Sequence, residues 1–242
     1  MRPIVFLLFS FICTSSCSKK ETGNMPLPVN DTMPPSPAVP RYHYLALGDS
    51  YTIGESVAAK DNFPNQTAAR LAEDSIFLFP PRIIARTGWT TGELQNGIIL
   101  SNRDNPLYNP YDFVSLLIGV NNQYRGYPIS TYALEFEDLL KKAIQYAGNR
   151  PGRVIVLSIP DWGVTPFADG RDRQQIAREI DDFNRVNKEI TLRYQVQYLD
   201  ITPWTREAST DLTLLAPDGL HPSGKEYKRW AEQIALFFKS KI

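Results

Sequence analysis

A serine at the end of a short apolar run is the first residue of this chain that could do chemistry. The run 44–47, Tyr-Leu-Ala-Leu, is followed by Gly48, Asp49 and Ser50. This pattern predicts a buried strand that ends in a turn carrying the serine. Because ligands of open α/β sheets bind outside the carboxyl ends of the strands, Ser50 is well positioned to act as a nucleophile. The alternative is a turn serine without chemistry, since Gly, Asp and Ser are common in turns.

The two histidines of the sequence are the candidates for the base that a serine nucleophile needs. His43 precedes the predicted strand, which at about 3.3 Å per residue separates it from Ser50 by roughly 20 Å. His221 lies in a loop before the last predicted helix, and Asp218, three residues earlier, can reach its imidazole through one tight turn. In a triad, such an acid fixes the histidine tautomer and stabilises the imidazolium. A surface-loop histidine and a turn aspartate are the alternatives.

Two further loops at the same sheet edge are candidates for stabilising an oxyanion. Gly88 lies in the loop 86–92 after the second predicted strand, and glycine lets a backbone N–H approach a ligand closely. Asn121 follows the third predicted strand and offers a side-chain amide donor. The alternatives are a glycine turn and a helix-entry asparagine.

The elements that must position these residues alternate along the chain between predicted strands and predicted helices. Apolar runs predict strands at 42–47, 82–86, 113–118, 154–157 and 196–199. Apolar residues at helical spacing predict helices over about 64–73, 91–100, 133–147, 176–190 and 223–237. This alternation predicts an α/β fold, a three-layer α/β/α sandwich with a five-stranded parallel sheet.

Smaller signals predict one helix start and one pocket wall. Ser223 with Glu226 three residues later is typical of a capping box at the last helix, whose predicted apolar stripe ends at Phe237. The segment 161–167 follows the fourth predicted strand at the edge that carries Ser50. Its Trp162 and Phe167 either wall a substrate pocket or anchor the loop.

The first 40 residues predict export and attachment to a membrane. Residues 1–16 resemble a signal peptide, with one positive charge and an apolar run too short to span a bilayer. Small residues before Cys17 resemble a bacterial lipoprotein site, where the cysteine is lipidated; a plain signal peptide cleaved elsewhere is the alternative. Residues 17–40 are polar and proline-rich, typical of a tether, and leave 41–242 as the folded domain. We expect a membrane-anchored lipoprotein, periplasmic or on the cell surface.

Composition argues against several other functions. Lys and Arg total 26, as do Asp and Glu, so no charge excess indicates a nucleic-acid partner. Both cysteines lie in the leader, which predicts a domain without a disulfide or a cysteine nucleophile. With two histidines and no domain cysteine, no metal site is predicted.

In their order along the chain, these segments resemble the four sequence blocks of the SGNH (or GDSL) hydrolases, over residues 42 to about 238. The blocks are Gly48-Asp49-Ser50, Gly88 in Thr87-Gly88-Trp89-Thr90-Thr91-Gly92, Gly119-Val120-Asn121-Asn122, and Asp218-Gly219-Leu220-His221-Pro222. The resemblance implies a flavodoxin-like fold and no metal or organic cofactor. It also implies roles for five residues: Ser50 as nucleophile, His221 as base, Asp218 as its acid, and the Gly88 N–H and Asn121 amide as oxyanion donors beside the Ser50 N–H.

One residue departs from the family pattern. Asn122 stands where the family commonly has aspartate. Because this position is not the oxyanion donor, we expect an altered local hydrogen bond and retained activity.

Together, the residues and the resemblance predict a serine esterase that hydrolyses small-molecule or glycan esters through an acyl-enzyme intermediate. Two alternatives remain open at this point. One is a carbohydrate O-deacetylase of the same fold, and the other is a non-catalytic ligand-binding lipoprotein.

Overall fold

The computed structural model describes residues 40–242. The predicted signal peptide, Cys17 and the tether up to residue 39 lie outside the described residues. Within 40–242, no helix combines the length and the apolar character needed to cross a bilayer.

In the part of the chain that the structure describes, seven strands form two parallel sheets. They are β1 (Arg41–Tyr42), β2 (Tyr44–Asp49), β3 (Phe77–Leu78), β4 (Arg82–Arg86), β5 (Phe113–Leu117), β6 (Val154–Leu157) and β7 (Gln197–Leu199). The large sheet has the order β4-β2-β5-β6-β7, and β1 pairs with β3 beside it. Every residue of β2, β5 and β6 is buried, as expected of strands covered on both faces. The predicted five-stranded parallel sheet is confirmed.

Eight α-helices within residues 40–242 connect and flank these strands. They are α1 (Ser50–Ile53), α2 (Phe63–Glu73), α3 (Thr91–Asp104), α4 (Val120–Tyr124), α5 (Ile129–Tyr146), α6 (Arg173–Arg193), α7 (Thr202–Arg206) and α8 (Gly224–Lys239). Helix α2 packs on α8, while α5 packs on both α3 and α6. These two groups form the outer layers of the predicted three-layer fold.

The strand order contains a reversal that locates the binding crevice. From β2 the chain passes through α2 to β4 on one side, and then through α3 to β5 on the other side of β2. Open α/β sheets bind their ligands at such a switch point, outside the carboxyl ends of the strands. In this chain the switch point lies at the end of β2, where Ser50 follows Asp49.

Helix α8 closes the core and runs back along the sheet. Near its end, the Phe238 ring stacks on Phe113 at 4.1 Å and meets Tyr44 edge-on at 5.0 Å. Tyr44 and Phe113 are the first residues of β2 and β5, so the last turn of α8 lies at the amino edge of the sheet. Phe237, the last residue of the predicted stripe, is half-buried against the core, whereas its neighbour Phe238, which was not predicted, is fully buried.

The capping box predicted for α8 is only half formed. Ser223 caps the helix by accepting the Glu226 N–H, but the Glu226 carboxylate does not return the bond. It is buried and instead accepts from Trp230 Nε1 at 2.8 Å and Arg229 Nη1 at 3.0 Å. The indole N–H needs a partner inside the core, and Glu226 provides it.

Candidate active site

Ser50 is the first residue of the short helix α1, immediately after β2. Two residues before Ser50 only glycine fits, since a β-carbon on Gly48 would lie 2.0 Å from the Thr52 hydroxyl. Asp49 then caps α1, because its Oδ1 accepts the Tyr51 N–H at 3.0 Å. Gly48 and Asp49 together turn the chain sharply at the carboxyl edge of the sheet and fix the position of Ser50.

The loop before α8 pairs Asp218 with His221. An antiparallel bridge between Leu215 and Pro222 closes the loop. Asp218 Oδ2 lies 2.7 Å from His221 Nδ1, and Asp218 Oδ1 accepts the backbone N–H groups of Leu220 and His221, each at 3.0 Å. The imidazole is buried, with 6% of its residue surface exposed. The turn therefore holds the carboxylate against one ring nitrogen of a buried histidine.

Asp218 is kept ionised by its surroundings. Burial raises the pKa of the carboxyl group, but hydrogen bonds from His221, from Ser56 and from two backbone N–H groups outweigh it and lower the pKa to about 2. The carboxylate therefore remains negative over the ordinary pH range, and an imidazolium at His221 would have a permanent counter-charge.

A cavity of about 140 Å³ opens at this edge of the sheet. Six of the residues singled out in the sequence line it: Ser50, Gly88, Asn121, Trp162, Phe167 and His221. Asp218 lies behind the imidazole. Within residues 40–242, no hydrogen bond joins Ser50 Oγ to His221; catalytic hydrogen bonds of this kind often tighten only in the substrate complex.

The Asn121 amide lies between the end of β2 and the loop 86–92 that contains Gly88, called the glycine loop below. Its Nδ2 donates to the Trp89 carbonyl at 3.0 Å and, more weakly, to Asp49 Oδ2 at 3.4 Å. Asp49 is itself buried, and burial raises its pKa to about 7, with the Tyr51 N–H and the Asn121 amide opposing that rise. The amide is thus held at the cavity wall by one strong and one weak hydrogen bond.

The glycine loop is held by a charged side chain at the residue that follows α4. Gly88 has φ +81°, a left-handed conformation that glycine adopts without strain. Arg125 Nη2 donates to the Gly88 carbonyl at 2.6 Å, and its Nη1 pairs with Glu93 at 3.2 Å. Glu93 in turn completes a capping box with Thr90 at the start of α3. This network fixes the backbone of the loop beside Ser50.

The model of the GDSL-like lipase/acylhydrolase family matches residues 46–229, nearly the whole folded region. The chain belongs to this family. It is therefore an ester-hydrolysing enzyme, and the non-catalytic lipoprotein alternative loses its support.

Solved structures show the same fold at low sequence identity. A lipase/acylhydrolase from Enterococcus faecalis is 20% identical with a TM-score of 0.62, covering 83% of this chain and 96% of that one. The esterase EstA from Pseudoalteromonas sp. is 16% identical with a TM-score of 0.61, covering 82% and 97%. The acetylxylan esterase Axe2 from Geobacillus stearothermophilus is 18% identical with a TM-score of 0.59, covering 81% and 94%. A comparison with curated protein sequences gave no significant match.

In this GDSL-family hydrolase, Asn122 connects two helices outside the cavity. Its Oδ1 accepts the Thr91 N–H at 3.0 Å, and its Nδ2 donates to Thr91 Oγ1 at 2.7 Å. The Thr91 hydroxyl donates onward to Glu135. An ionised aspartate could accept the N–H but could not donate to the hydroxyl, so asparagine matches this particular hydrogen-bond chain.

Both aromatic residues of the segment 161–167 line the cavity of this hydrolase, in different ways. Trp162 is buried and anchored, because its Nε1 donates to Gln123 Oε1 at 2.7 Å. Phe167 stands at the rim with 45% of its surface exposed. Trp162 therefore walls the pocket and anchors the loop, whereas Phe167 only walls the pocket.

His43 lies at the amino end of β2, away from the cavity. Its ring is stacked between Phe79, at 4.4 Å, and Tyr108, at 3.8 Å. Its backbone N–H donates to Asp112 Oδ2 at 2.7 Å. These contacts give it a packing role at the opposite edge of the sheet.

Two cavity residues of the hydrolase were missed in the sequence although a signal was present. Tyr51 directly follows Ser50, and its ring packs on the His221 ring at 4.8 Å. Burial, with nearby carboxylates adding to it, raises the pKa of Tyr51 well above its usual range. Tyr124 follows Asn121 by one helical turn in α4 and therefore faces the same cavity.

Proposed function

We propose that this enzyme is a serine esterase that hydrolyses carboxylic esters through Ser50, His221 and Asp218. The observation that carries the proposal is the convergence of Ser50 and an aspartate-paired histidine on one cavity, at the switch point of the sheet. Such a pair supplies the base and the counter-charge that a serine hydroxyl needs.

The reaction begins with attack of Ser50 Oγ on the ester carbonyl carbon. His221 Nε2 takes the hydroxyl proton, since its Nδ1 is engaged with Asp218. The tetrahedral intermediate collapses as His221 returns the proton to the leaving alcohol, and an acyl-enzyme remains on Ser50. Water then attacks the acyl carbon with the same base, which releases the carboxylic acid and restores the serine hydroxyl.

In the tetrahedral intermediates of both steps, the oxyanion accepts hydrogen bonds from donors on three loops. The backbone N–H groups of Ser50 and Gly88 and the side-chain amide of Asn121 fill this role. Asn121 would exchange its weak 3.4 Å contact with Asp49 for the oxyanion and keep its 3.0 Å bond to Trp89. Because the amide is already held at the cavity wall, little reorganisation is needed when charge develops.

The nucleophile is tested by Ser50→Ala. We expect hydrolysis of p-nitrophenyl acetate to be abolished with the fold retained, because the lost hydroxyl is small. A phosphonate ester probe should add its mass to Ser50 in the wild type and to nothing in the variant. Turnover by purified, folded Ser50→Ala protein would refute the mechanism.

The base is tested by comparing the two histidines. We expect His221→Ala to lower kcat by several orders of magnitude, about the effect of removing a triad base. His43→Gln is the matched control and should leave kcat within about twofold, since a packing residue at the far edge contributes no proton transfer. A crippled His43→Gln with an active His221→Ala would contradict the site.

A carbohydrate O-deacetylase is the second candidate function, and one observation favours it. A second cavity of about 400 Å³ adjoins the first, and both are lined by Tyr124 and Trp162. The second cavity is also lined by Arg171, Gln175 and Glu179. The Arg171 guanidinium carbon lies 5.2 Å from the ring centroid of Tyr124 and 5.4 Å from that of Trp162. Guanidinium, amide and carboxylate groups along one wall of a cavity suit the hydroxyl groups of a sugar.

Substrate panels separate these two functions. For the deacetylase, acetylated oligosaccharides should be preferred over longer p-nitrophenyl acyl esters. Arg171→Ala should then lower kcat/KM for the acetylated sugar and leave p-nitrophenyl acetate hydrolysis unchanged. A preference for long acyl chains, unaffected by Arg171→Ala, would favour a lipid or simple acyl esterase.

Membrane anchoring through Cys17 is a further part of the proposal, supported by the sequence of the leader. Two or more acyl chains give firm anchoring, whereas one gives marginal binding. We therefore expect Cys17→Ala to move the protein from the membrane fraction to the soluble fraction with its esterase activity intact. A variant that still sediments with membranes would exclude lipidation at this residue as the anchor.

A further inference from the structure

A serine in an uncommon backbone conformation follows the nucleophile helix. Gly54, with φ +78°, caps the end of helix α1, and the Ser50 carbonyl accepts the N–H groups of Gly54 and Glu55 at 3.1 and 3.0 Å. Two residues after this cap, Ser56 has φ +63°. Left-handed conformations are uncommon for residues other than glycine and persist where the surroundings hold them.

The contact that holds Ser56 is with the proposed catalytic acid. Ser56 Oγ donates to Asp218 Oδ2 at 2.7 Å, the same oxygen that lies 2.7 Å from His221 Nδ1. The three other hydrogen bonds of this carboxylate come from its own loop, at Leu220 and His221. Ser56 is therefore the donor that connects the acid loop to the nucleophile helix, across 162 positions of sequence.

We propose that Ser56 is a positioning residue for Asp218 in ester hydrolysis, a role that rests on the triad proposed above. Two donors on one carboxylate oxygen restrict rotation of the carboxylate, whose side chain is 29% exposed and otherwise open to water. A fixed carboxylate keeps the imidazole aligned when it becomes charged in the transition state. Ser56 does not line the cavity, so it acts on kcat through Asp218 and not on substrate binding.

The first test is Ser56→Ala, with Ser75→Ala as the matched control. Ser75 is also an exposed serine with a left-handed backbone, φ +61°, in the turn after α2. We expect Ser56→Ala to lower kcat for p-nitrophenyl acetate about tenfold and to leave KM within about twofold, the result of losing one hydrogen bond to a charged group. Ser75→Ala should change neither. Ser56→Gly removes the hydroxyl but relaxes the backbone, and should lose as much kcat as the alanine variant.

The second test asks whether the effect passes through the acid. In an Asp218→Ala background, adding Ser56→Ala should cost less than about twofold in kcat, because the partner of the hydroxyl is already gone. An unchanged kcat in Ser56→Ala and Ser56→Gly, or the same loss in both backgrounds, would overturn the proposal. Full activity of Asp218→Ala itself would instead overturn the triad, so the two failures are distinguishable.

Discussion

Replacing Gly97 by alanine perturbs the support of the glycine loop without touching the cavity. Gly97 is a buried residue of α3, and the indole of Trp89 lies directly against it. A β-carbon at Gly97 would lie 2.1, 2.4 and 2.9 Å from Cη2, Cζ3 and Cζ2 of that ring. The indole must therefore shift by roughly 1 Å or more to regain van der Waals contact.

Two opposing effects set the change in stability, and a third sets the change in rate. Alanine is favoured over glycine inside a helix by about 1 kcal/mol, whereas overpacking costs about 1–3 kcal/mol. We expect the free energy of unfolding to fall by about 1 kcal/mol. The Trp89 carbonyl holds the Asn121 amide at 3.0 Å, and Trp89 follows Gly88 directly. Asn121 is a proposed oxyanion donor, and misplacing such a group by about 1 Å costs up to about 100-fold, so kcat should fall by between about tenfold and 100-fold.

Urea unfolding and steady-state hydrolysis of p-nitrophenyl acetate check both effects. Gly152→Ala is the matched control, since a β-carbon there meets nothing within 4 Å and its backbone is not left-handed. It should leave stability within about 0.5 kcal/mol and kcat unchanged. A Gly97→Ala protein that is more stable than wild type and fully active would show that the indole does not hold the loop, and the reasoning would fail.

Three other changes test neighbouring contacts. Burial raises the pKa of Asp49 from 3.8 to about 7. The neutral carboxyl group therefore makes its full contribution to the free energy of unfolding below pH 3.8, and this contribution is lost as the pH rises through 7. The free energy of unfolding should fall by up to about 4 kcal/mol over that range, and urea titrations of Asp49→Asn should show a flatter dependence on pH. Arg125→Ala removes the donor to the Gly88 carbonyl and should lower kcat about tenfold with KM little changed; normal kinetics would contradict the support role. Arg206→Ala leaves the buried carboxylate of Asp161, 1% exposed, without the guanidinium that lies 2.8 Å from it. The free energy of unfolding measured in urea should fall by about 2 kcal/mol, and an unchanged unfolding midpoint would contradict this.

The larger elements were predictable because the apolar residues that they bury recur at regular spacing along the sequence. The bounds of β6 agree with the predicted strand, since a strand covered on both faces reads as an apolar run. The bounds of β4 also agree, although β4 is an edge strand in which only Ile84 is buried. Helices α1 and α4, of four and five residues, were missed because they are too short for any periodicity to appear. Their starts depend on caps and turns at strand ends. Helix α3 continues to Asp104, beyond the last apolar residues that marked its predicted end at about 100.

The candidate site was predictable where its residues follow strand ends, and not where it depends on long-range polar contacts. Ser50 and Asn121 come directly after apolar runs, and parallel strands bring such positions to one edge. The contacts of Ser56 with Asp218 and of Arg125 with Gly88 span 162 and 37 positions. An exposed serine and an exposed arginine look like ordinary surface residues in a sequence, so only the fold reveals these partners.

The course of α8 has a consequence for how the domain can be joined to other molecules. The helix has 16 residues, about 24 Å, and returns the chain from the His221 loop to the edge where β1 and β2 begin. Residues 40 and 242 therefore both lie at the amino edge of the sheet, with the cavity at the other edge. A partner fused after residue 242, or a linker attached before residue 40, would therefore meet the domain on the side away from the cavity.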